Sequence, residues 1–306
     1  MNLTSVKTIK ALCKKYNFWP SRKSGQNFLI SQDVLEKIIQ AANLNSQDLV
    51  LEIGAGFGTL TFALTLRVKK VIAVELDKRL AKALRDLLNV QNVQDVQNVK
   101  IVEGDIFELR TKNQELGTVN GEPRTMNQEL GTLNDLGYKL VSNLPYNITS
   151  LVLRNFLEEK PRPSEMILLV QKEVAERVVA KPGEMSLLSV ACQFYSQPEI
   201  VGYVTKENFW PQPEVDSAIL KIQGVSHSTL KLRRVKLEGI DVKKFFSLVK
   251  IGFSARRKQL KNNLSAGLRL DRGKIEECLH KIGLDLKIRA QDLSVDDWVR
   301  LTRLFN

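Results

Sequence analysis

The chain has 306 residues, 43% of them hydrophobic, and a formal net charge of +12 at pH 7. This length and composition exclude a disordered chain and allow one large core or two smaller ones. No apolar run approaches the ~18 residues of a membrane-spanning helix, and the N-terminus lacks the long apolar stretch of a signal peptide. It favours a short amphipathic helix with an apolar face formed by Val6, Ile9, Leu12 and Cys13. We therefore expect a cytoplasmic protein.

The cysteines, the histidines and the net positive charge limit the kinds of site and partner that the protein can have. The three cysteines, Cys13, Cys192 and Cys278, lie far apart and match no metal-ligand spacing, so we expect buried free thiols in a reducing compartment. Only two histidines, His227 and His280, are present, which argues against a histidine-based triad or a multi-histidine metal site. The basic excess is typical of a protein with a polyanionic partner, although a surface tuned for solubility would also carry it.

Strand and helix patterns alternate from residue 49 onwards. Apolar runs predict strands at 49–53, 71–76, 99–105, 138–143 and 164–171. Helix patterns over 59–66 and 77–90 separate the first three. Two further strands, 199–204 and 215–222, are expected to form a hairpin at the sheet edge. Such alternation predicts an α/β fold in which helices cover both faces of a mostly parallel sheet, with ligands at the carboxyl ends of the strands.

The pattern changes after about residue 222, and this change sets the predicted domain boundaries. We expect a first domain over 1–222, whose N-terminal helix and lid occupy 1–48. A linker over 223–240 then leads to a small helical domain over 241–306, where apolar stripes have helical spacing. The segment 111–137 contains near-copies of one unit and is interpreted as an expanded surface loop without chemistry.

A glycine-rich turn follows the first predicted strand. In LEIGAGFGTLT, Gly54, Gly56 and Gly58 allow a tight turn and a close approach of a ligand to the main chain. The spacing is G-x-G-x-G and differs from the dinucleotide fingerprint. A plain strand-to-helix connection explains these glycines equally well when they are considered alone.

Acidic residues at the next two strand ends favour a ligand. Glu75 ends the second strand, where its carboxylate could accept hydrogen bonds from both hydroxyls of a ribose. Asp105 follows the third strand and could accept a hydrogen bond from the exocyclic amine of an adenine. Each acid alone is more often a helix cap or a solvated residue, but together with the glycine turn they indicate an adenosine pocket. Because the sequence has no lysine loop for phosphates, the adenosine indicated is S-adenosylmethionine, and methyl transfer is the leading chemistry.

The segment SGQNFLIS permits two interpretations. It could be a turn followed by Ser31 as the cap of a helix. It could also be a lid that packs Phe28 and Leu29 inward and presents the amides of Gln26 and Asn27 to the charged end of the cofactor. Spacing alone does not choose between them.

Several motifs in chain order resemble one family. They are GQNFL, EIGAGFGTLT, VIAVELD, GDIF, NLPYNITS, VQKEVAERVVAKPG, NFWPQPEVDSAILKI, FFSLVKIGFSARRKQLKNNL and RAQDLS. Their combination, over nearly the whole chain, resembles the ribosomal RNA adenine N6-dimethyltransferases, whose bacterial member modifies two adjacent adenines near the end of small-subunit ribosomal RNA. Large-subunit adenine methylases that confer antibiotic resistance are similar in the first domain. They more often have Asn-Ile-Pro where this chain has the Asn-Leu-Pro of NLPYNITS, and they lack the RRKQLKNNL stretch.

The resemblance implies a Rossmann-like fold that uses S-adenosylmethionine, with a mostly parallel seven-stranded sheet and a small C-terminal all-helical domain. It implies that the cofactor pocket is formed by Gln26, Asn27, Leu29, Gly54, Gly56, Glu75, Leu76, Asp105, Ile106 and Asn143. It implies that the target base is handled by Asn143, Pro145, Tyr146 and Phe209. The chain departs from the family pattern at Ala55, where proline is usual, in the longer loop 111–137, and in the shorter KPGEMSLLSV stretch.

The NLPY motif is the expected centre of the chemistry. An adenine amine is a poor nucleophile because its lone pair is delocalised into the ring. The Asn143 side-chain oxygen and the Leu144 or Pro145 carbonyl could accept both of its hydrogens, so that positioning does most of the work without a strong general base. Tyr146 would stack on the base and Phe209 would cover its other face. The plain alternative is a proline turn with a core tyrosine.

A basic segment is expected to hold the RNA. Residues 243–274 contain ten basic residues and one acidic residue. We predict that phosphates are gripped by Arg256, Arg257, Lys258 and Lys261; the alternative is a solvated basic face. Because the base must be unstacked, loop or single-stranded adenines are the expected targets.

Three functions stay open at this point. The first is N6,N6-dimethylation of two adjacent adenines in a 3′-terminal loop of 16S ribosomal RNA, coupled to small-subunit biogenesis. The second is a large-subunit methylase that confers antibiotic resistance, and the third is a ribosome-assembly factor whose methylation is incidental. The glycine spacing disfavours a nicotinamide-dependent dehydrogenase. The expected partner is the small ribosomal subunit, with no metal and no membrane, and the expected state is a monomer.

Overall fold

A computed structural model describes residues 1–21, 25–90, 98–115, 118–119, 122–123, 137–225 and 239–305. The chain forms two compact units, Met1–Ala175 with Glu199–Val225 and Glu176–Pro198 with Ser226–Asn306. Most of the predicted linker 223–240 and of the expanded loop 111–137 lies outside the described residues.

The first unit is built on a seven-stranded sheet. Its strands are β2 (Leu49–Ile53), β3 (Lys70–Glu75), β4 (Val99–Glu103), β7 (Lys139–Asn143), β8 (Glu165–Gln171), β9 (Gln197–Val204) and β11 (Ser217–Gln223). Their order across the sheet is β4-β3-β2-β7-β8-β11-β9. The pairs from β4 to β8 are parallel, and β11 is antiparallel to β8. The predicted fold class is confirmed, and the two predicted edge strands are neighbours.

Two short pairings complete the strands. β1 (Phe28–Leu29) is antiparallel to β10 (Phe209–Trp210), which pairs Phe28 with Trp210 and Leu29 with Phe209. β5 (Thr118–Val119) and β6 (Glu122–Pro123) form a small antiparallel hairpin. The β1–β10 pairing joins the predicted lid to the loop before the last strand of the sheet.

Helices alternate with the strands of the first unit and make up most of the second. In chain order they are α1 (Val6–Lys15), α2 (Gln32–Ala42), α3 (Thr59–Thr65), α4 (Lys78–Val90), α5 (Ile106–Glu115), α6 (Thr149–Glu158), α7 (Lys172–Val178), α8 (Leu187–Tyr195), α9 (Val242–Gly252), α10 (Leu260–Leu268), α11 (Arg272–Lys281) and α12 (Val295–Leu304). α2 begins where Ser31 Oγ accepts a hydrogen bond from Val34 N, as predicted for a cap, and ends at Asn43 in the left-handed conformation.

The centre of the sheet is buried on both faces. Every residue of β2 is buried, and so are the five interior residues of β8. Near-continuous apolar runs of this kind are typical of parallel strands that helices cover on both sides. Val50, Val141 and Ile167 pack with Ile38 of α2 in one cluster, and each such side chain contributes about 1.5–3 kcal/mol by its burial. The buried centre of the sheet fixes the positions of the strand ends, and the loops that line the functional site extend from these ends.

A second cluster fastens the N-terminal segment to the first unit. Ile9, Leu12 and Cys13 of α1 are buried, as the sequence pattern predicts, and they pack with Phe18 and Phe57. An aromatic contact strengthens this cluster, because the Phe18 and Phe57 rings meet edge to face at 6.1 Å. α1 is therefore part of the folded first unit.

None of the three cysteines, all of them described residues, forms a disulfide. Cys13 and Cys192 are buried, as predicted, whereas Cys278 on α11 is only half-buried. Burial raises the pKa of Cys13 to about 11, so its reactive thiolate form is disfavoured. Within the described ranges, no helix has the length and apolar character needed to cross a bilayer.

α8 packs with the C-terminal helices, which corrects the predicted domain boundary. Phe194 is 1% exposed, and its ring lies 4.4 Å from that of Phe245 and 5.2 Å from that of Phe246. The segment 176–198, predicted to belong to the first domain, therefore forms part of the second unit. The reason is the aromatic face of α8, which is buried against α9.

We predict that Phe194→Ala destabilises the second unit by about 3–5 kcal/mol, because the surrounding rings cannot fill the cavity. Hydrogen exchange at the amides of α9 should speed up, while exchange in β3 of the first unit should change little. Leu187→Ala, on the same helix but 38% exposed, is the matched control and should cost about 0.5 kcal/mol. Unchanged protection of α9 in Phe194→Ala would contradict the assignment of α8 to this unit.

Candidate active site

A cavity of about 400 Å³ opens at the carboxyl ends of β2, β3, β4 and β7. The segment around β1 supplies the rest of its wall. All ten residues predicted for the cofactor line it, namely Gln26, Asn27, Leu29, Gly54, Gly56, Glu75, Leu76, Asp105, Ile106 and Asn143. Pro145 and Tyr146, predicted to contact the target base, also line it. Its size and position are those expected of a small-molecule site in a parallel sheet.

The glycine turn after β2 is closely covered by the other two motifs. Gly54 and Gly56 have φ of +74° and +58°, a conformation that L side chains rarely adopt. A Cβ on Gly54 would lie 3.1 Å from Pro145 Cδ, and a Cβ on Gly56 would lie 3.2 Å from Phe28 Cε1. The glycines are therefore required both by the turn and by the approach of NLPY and GQNFL.

Gly25 of the GQNFL motif makes the third close approach. Its φ is +62°, and a Cβ there would lie 2.8 Å from the Tyr146 backbone nitrogen. Any side chain at residue 25 would push the segment before β1 away from the NLPY turn. Residue spacing alone did not indicate this contact.

Glu75 combines burial with two backbone hydrogen bonds. It is 5% exposed, and its carboxylate accepts from Gly56 N at 2.8 Å and from Asp77 N at 2.9 Å. Burial raises the pKa of Glu75, and these hydrogen bonds partly oppose the rise. Because a carboxylate has about four acceptor positions, Glu75 keeps acceptor capacity for a ligand such as a ribose. Glu75 thus fixes the glycine turn and can also bind a ligand.

Asp105 begins α5 at the neighbouring strand end. Its Oδ1 accepts a hydrogen bond from Phe107 N at 2.8 Å, which is the capping role that the sequence allowed as the plain alternative. Its second oxygen remains available as an acceptor, so capping and ligand binding are compatible here. Beside it, Leu76 is 67% exposed although it lines the cavity. A flat ring bound in the cavity would cover that apolar side chain.

Glu52 lines the cavity and was missed by the sequence analysis. It is 2% exposed within β2, and Thr61 Oγ1 donates a hydrogen bond to Glu52 Oε2 at 2.7 Å. Burial raises the pKa of Glu52 to about 8, an effect that the Thr61 hydrogen bond reduces and the charge of Glu75 increases. The available signal was a single acid inside LVLEI, an otherwise apolar strand.

Asn143 is held by the segment before β1. Its Nδ2 donates a hydrogen bond to Asn27 O at 3.1 Å, and Asn27 Nδ2 donates to Gly25 O at 3.2 Å. Gln26 Oε1 accepts from Ser21 N at 3.1 Å. Phe28 and Leu29 are buried against the first unit, as the lid interpretation predicts, so the capping of α2 and the inward packing of the lid occur together.

The two aromatic residues predicted for the target base differ in position. Tyr146 lines the cavity, and its hydroxyl is 2.6 Å from Ser217 Oγ on β11, which fixes the direction of the ring. Burial raises the pKa of Tyr146. Phe209 does not line the cavity: it is 2% exposed and packs in the sheet core beside Leu29. With its ring packed in the core, Phe209 keeps its role as the second stacking face only as a prediction.

The four cationic residues predicted to bind RNA differ in their exposure to solvent. Arg256, Arg257 and Lys258 are exposed in the turn between α9 and α10. Lys261 is 8% exposed, and its Nζ donates to Glu276 Oε1 at 2.7 Å. This hydrogen bond from Lys261 is the main reason that the pKa of Glu276 is lowered. Lys261 joins α10 to α11, so its predicted role in gripping phosphates is not supported.

We predict that Glu52 makes the first unit less stable as the pH rises. Between its usual pKa of 4.5 in the unfolded chain and about 8 in the folded chain, only the unfolded chain releases the proton, so the free energy of unfolding falls across this window. Glu52→Gln should remove this fall. The difference in the free energy of unfolding between the variant and wild type should therefore shift in favour of the variant by up to about 5 kcal/mol from acidic pH to above pH 8. Urea denaturation across the pH range measures it.

Glu36→Gln is the matched control, because Glu36 is an exposed acid on α2. Its stability should follow the wild-type pH curve. Parallel curves for Glu52→Gln and wild type would show that Glu52 carries no proton in the folded chain.

Known proteins resemble this chain over most of its length. The sequence pattern of the family described as "Ribosomal RNA adenine dimethylase" matches residues 19–306. The chain is 41% identical to "Ribosomal RNA small subunit methyltransferase A" of Dehalococcoides mccartyi (strain CBDB1), over 95% of this chain and 90% of that protein.

Solved structures share the fold. A dimethyladenosine transferase from Plasmodium falciparum is 25% identical with a TM-score of 0.68, covering 89% of this chain and 95% of that one. The 23S rRNA methyltransferase ErmE is 27% identical with a TM-score of 0.65, covering 91% of this chain and 99% of that one. With the family pattern matched from residue 19 to the last residue, the chain belongs to the ribosomal RNA adenine dimethylase family.

Proposed function

We propose that this protein uses S-adenosylmethionine to dimethylate N6 of two adjacent adenines in a 3′-terminal loop of 16S ribosomal RNA, as a step of small-subunit biogenesis. The observation that carries the proposal is the hydrogen bond from Asn143 Nδ2 to Asn27 O at the cavity wall. A carbonyl can only accept, so the amide nitrogen must face Asn27 and the amide oxygen is left as an acceptor. An amine donor is the group that such an oxygen binds.

The cavity residues fit the proposed cofactor. Gly54 and Gly56 expose main chain to the cavity, Glu75 offers acceptors for two ribose hydroxyls, and Asp105 offers one for the adenine amine. The exposed side chain of Leu76 fits the flat face of the ring. When bound, S-adenosylmethionine supplies an electrophilic methyl group.

The NLPY turn is suited to orient the target amine. Asn143 Oδ1 accepts one N–H, and a main-chain carbonyl accepts the other, which directs the nitrogen lone pair toward the cavity. Pro145 O already accepts a hydrogen bond from Ile148 N at 3.2 Å, which favours Leu144 O as the second acceptor. Positioning of this kind can supply much of the rate without a general base.

Tyr146 is suited to hold the base by stacking. Its hydroxyl bond to Ser217 limits rotation of the ring, so less conformational entropy is lost when a base stacks on it. One such stack contributes about 1–3 kcal/mol. A stack on the other face by Phe209 would require that ring to leave the core, so the proposal assigns stacking to Tyr146 alone.

In the decisive experiment, the protein is incubated with labelled S-adenosylmethionine and unmethylated small ribosomal subunits. A parallel reaction contains large subunits as the comparison substrate. We expect label at two adjacent adenines of 16S ribosomal RNA and none in large subunits. Label confined to large-subunit RNA would overturn the proposal in favour of the resistance methylase. Restored subunit assembly by a catalytically inactive variant would favour the assembly factor. Cytoplasmic location and a monomeric state remain predictions.

We predict that Asn143→Ala lowers kcat at least about 100-fold, because the target amine loses its fixed acceptor. Affinity for S-adenosylmethionine, measured by calorimetry, should fall less than about tenfold, because Glu75 and the glycine turn are unchanged. Ser150→Ala is the matched control and should keep the wild-type turnover: Ser150 is an exposed residue just after the same turn and is not among the residues that line the cavity. Near-normal turnover of Asn143→Ala would contradict the role of Asn143 as the hydrogen-bond acceptor for the target amine.

We predict that the exposed turn between α9 and α10 binds RNA phosphates. Replacing Arg256, Arg257 and Lys258 with glutamine should weaken RNA binding about tenfold and lower the slope of log affinity against log salt by up to about 2. The matched control replaces three exposed lysines of the same unit, Lys274, Lys281 and Lys287. An equal loss of affinity in both variants would indicate a general effect of charge rather than a binding site in this turn.

A further inference from the structure

The N-terminal helix α1 carries a basic face that the active site does not use. Lys7, Lys10, Lys14 and Lys15 are all exposed, and α1 has no acidic residue. The first three are spaced i, i+3 and i+7, which places them on one side of the helix, opposite the buried apolar residues. α1 also precedes residues 19–306, over which the family pattern matches.

Helix stability alone does not explain these lysines. Positive charges near the C-terminal end interact favourably with the helix dipole, which accounts for Lys14 and Lys15. Lys7 lies in the first turn, where the same dipole disfavours a positive charge. Neighbouring lysines on one face also repel each other. The face is therefore better explained by an anionic partner.

An exposed tryptophan lies just beyond the helix. Trp19 is 62% exposed, whereas the preceding Phe18 is only 1% exposed. A single exposed aromatic residue is unremarkable by itself. Beside a row of lysines it provides the combination that binds single-stranded nucleic acid, in which cations hold phosphates and an aromatic ring stacks on a base.

This surface is attached to the cavity wall through packed rings. The Phe18 ring lies 6.1 Å from that of Phe28, edge to face, and Phe28 lines the cavity. Lys10 Nζ lies 5.8 Å from the centre of the Trp210 ring, and Trp210 is paired with Phe28 between β10 and β1. A strand bound on α1 would thus have a fixed position relative to the cavity.

We infer that Lys7, Lys10, Lys14, Lys15 and Trp19 form a second RNA-binding surface, the α1 surface, which holds single-stranded RNA flanking the target loop. The inference rests on the proposed function for the identity of the RNA. Lysines supply the phosphate contacts, and Trp19 supplies a stacking platform that tolerates any base.

The test compares two RNA hairpins in fluorescence anisotropy without any methyl donor. Both have two adjacent adenines in the loop, and only one has single-stranded extensions. Replacing Lys7, Lys10 and Lys14 with glutamine should weaken binding of the extended hairpin about tenfold and lower its salt slope by up to about 2. Binding of the bare hairpin should change less than about twofold. Glutamine keeps the helix propensity close to that of lysine.

The matched control replaces three exposed lysines elsewhere in the first unit, Lys37, Lys69 and Lys82, with glutamine. It should bind both hairpins as wild type does. Trp19→Ala should weaken binding of the extended hairpin at least about fivefold, and Trp19→Phe should restore most of it because a ring is kept. Thermal unfolding monitored by circular dichroism checks that each variant is folded.

Three outcomes would overturn the inference. The α1 variant could bind the extended hairpin as the control does, or it could lose equal affinity for both hairpins. Alternatively, wild type could bind vesicles containing phosphatidylserine through these lysines while RNA binding does not depend on them, which would identify a membrane surface. Wild type that binds through α1 but methylates no adenine would remove the proposed function and leave the α1 surface in place.

Discussion

One hydrogen bond, from Asn143 Nδ2 to Asn27 O, joins segments that are 116 residues apart in the chain. It forms only because the main chain can come close at three glycines, where a Cβ would meet the NLPY turn or Phe28. The cavity wall is thus a contact between three motifs rather than a property of any one of them. Its rigidity is set by the sheet beneath it, where Ser142 Oγ donates to Ile53 O at 2.5 Å and ties β7 to β2.

The charge balance of the cavity follows from the same packing. Glu52 and Glu75 are both nearly inaccessible to water, and burial raises the pKa of each. Because burial disfavours the ionised form of both carboxyl groups, a ligand that brings hydrogen-bond donors or a positive charge would stabilise their carboxylate forms. Arg256, Arg257 and Lys258 are exposed in the turn between α9 and α10, where a polyanion can reach them. The proposed small ligand and the proposed RNA would therefore be distinguished by charge as well as by size.

The sequence predicted most of the sheet and the cavity, because strand ends and glycine turns follow from local pattern. It failed where tertiary contacts decide. The ring of Phe209, predicted to contact a base, packs in the core, and Lys261 was grouped with its exposed neighbours although Glu276 binds it. Glu52 was overlooked because an acid in a buried strand has no periodic signal. The segment 176–198 lies between two sheet strands in the chain, and only its aromatic packing shows that it belongs to the helical unit.

The discontinuous course of the second unit affects how this protein can be divided. Its helices come from a segment between β8 and β9 and from the C-terminal part of the chain. Cutting after Val225 would leave Phe194 and Tyr195 without the phenylalanines of α9 and would expose a cluster of rings to water. The catalytic half, expressed in that way, should aggregate rather than fold cleanly. A functional fragment would need a short polar connection in place of 176–198. The helical unit is therefore formed partly by a segment inserted between two strands of the sheet and partly by the C-terminal part of the chain.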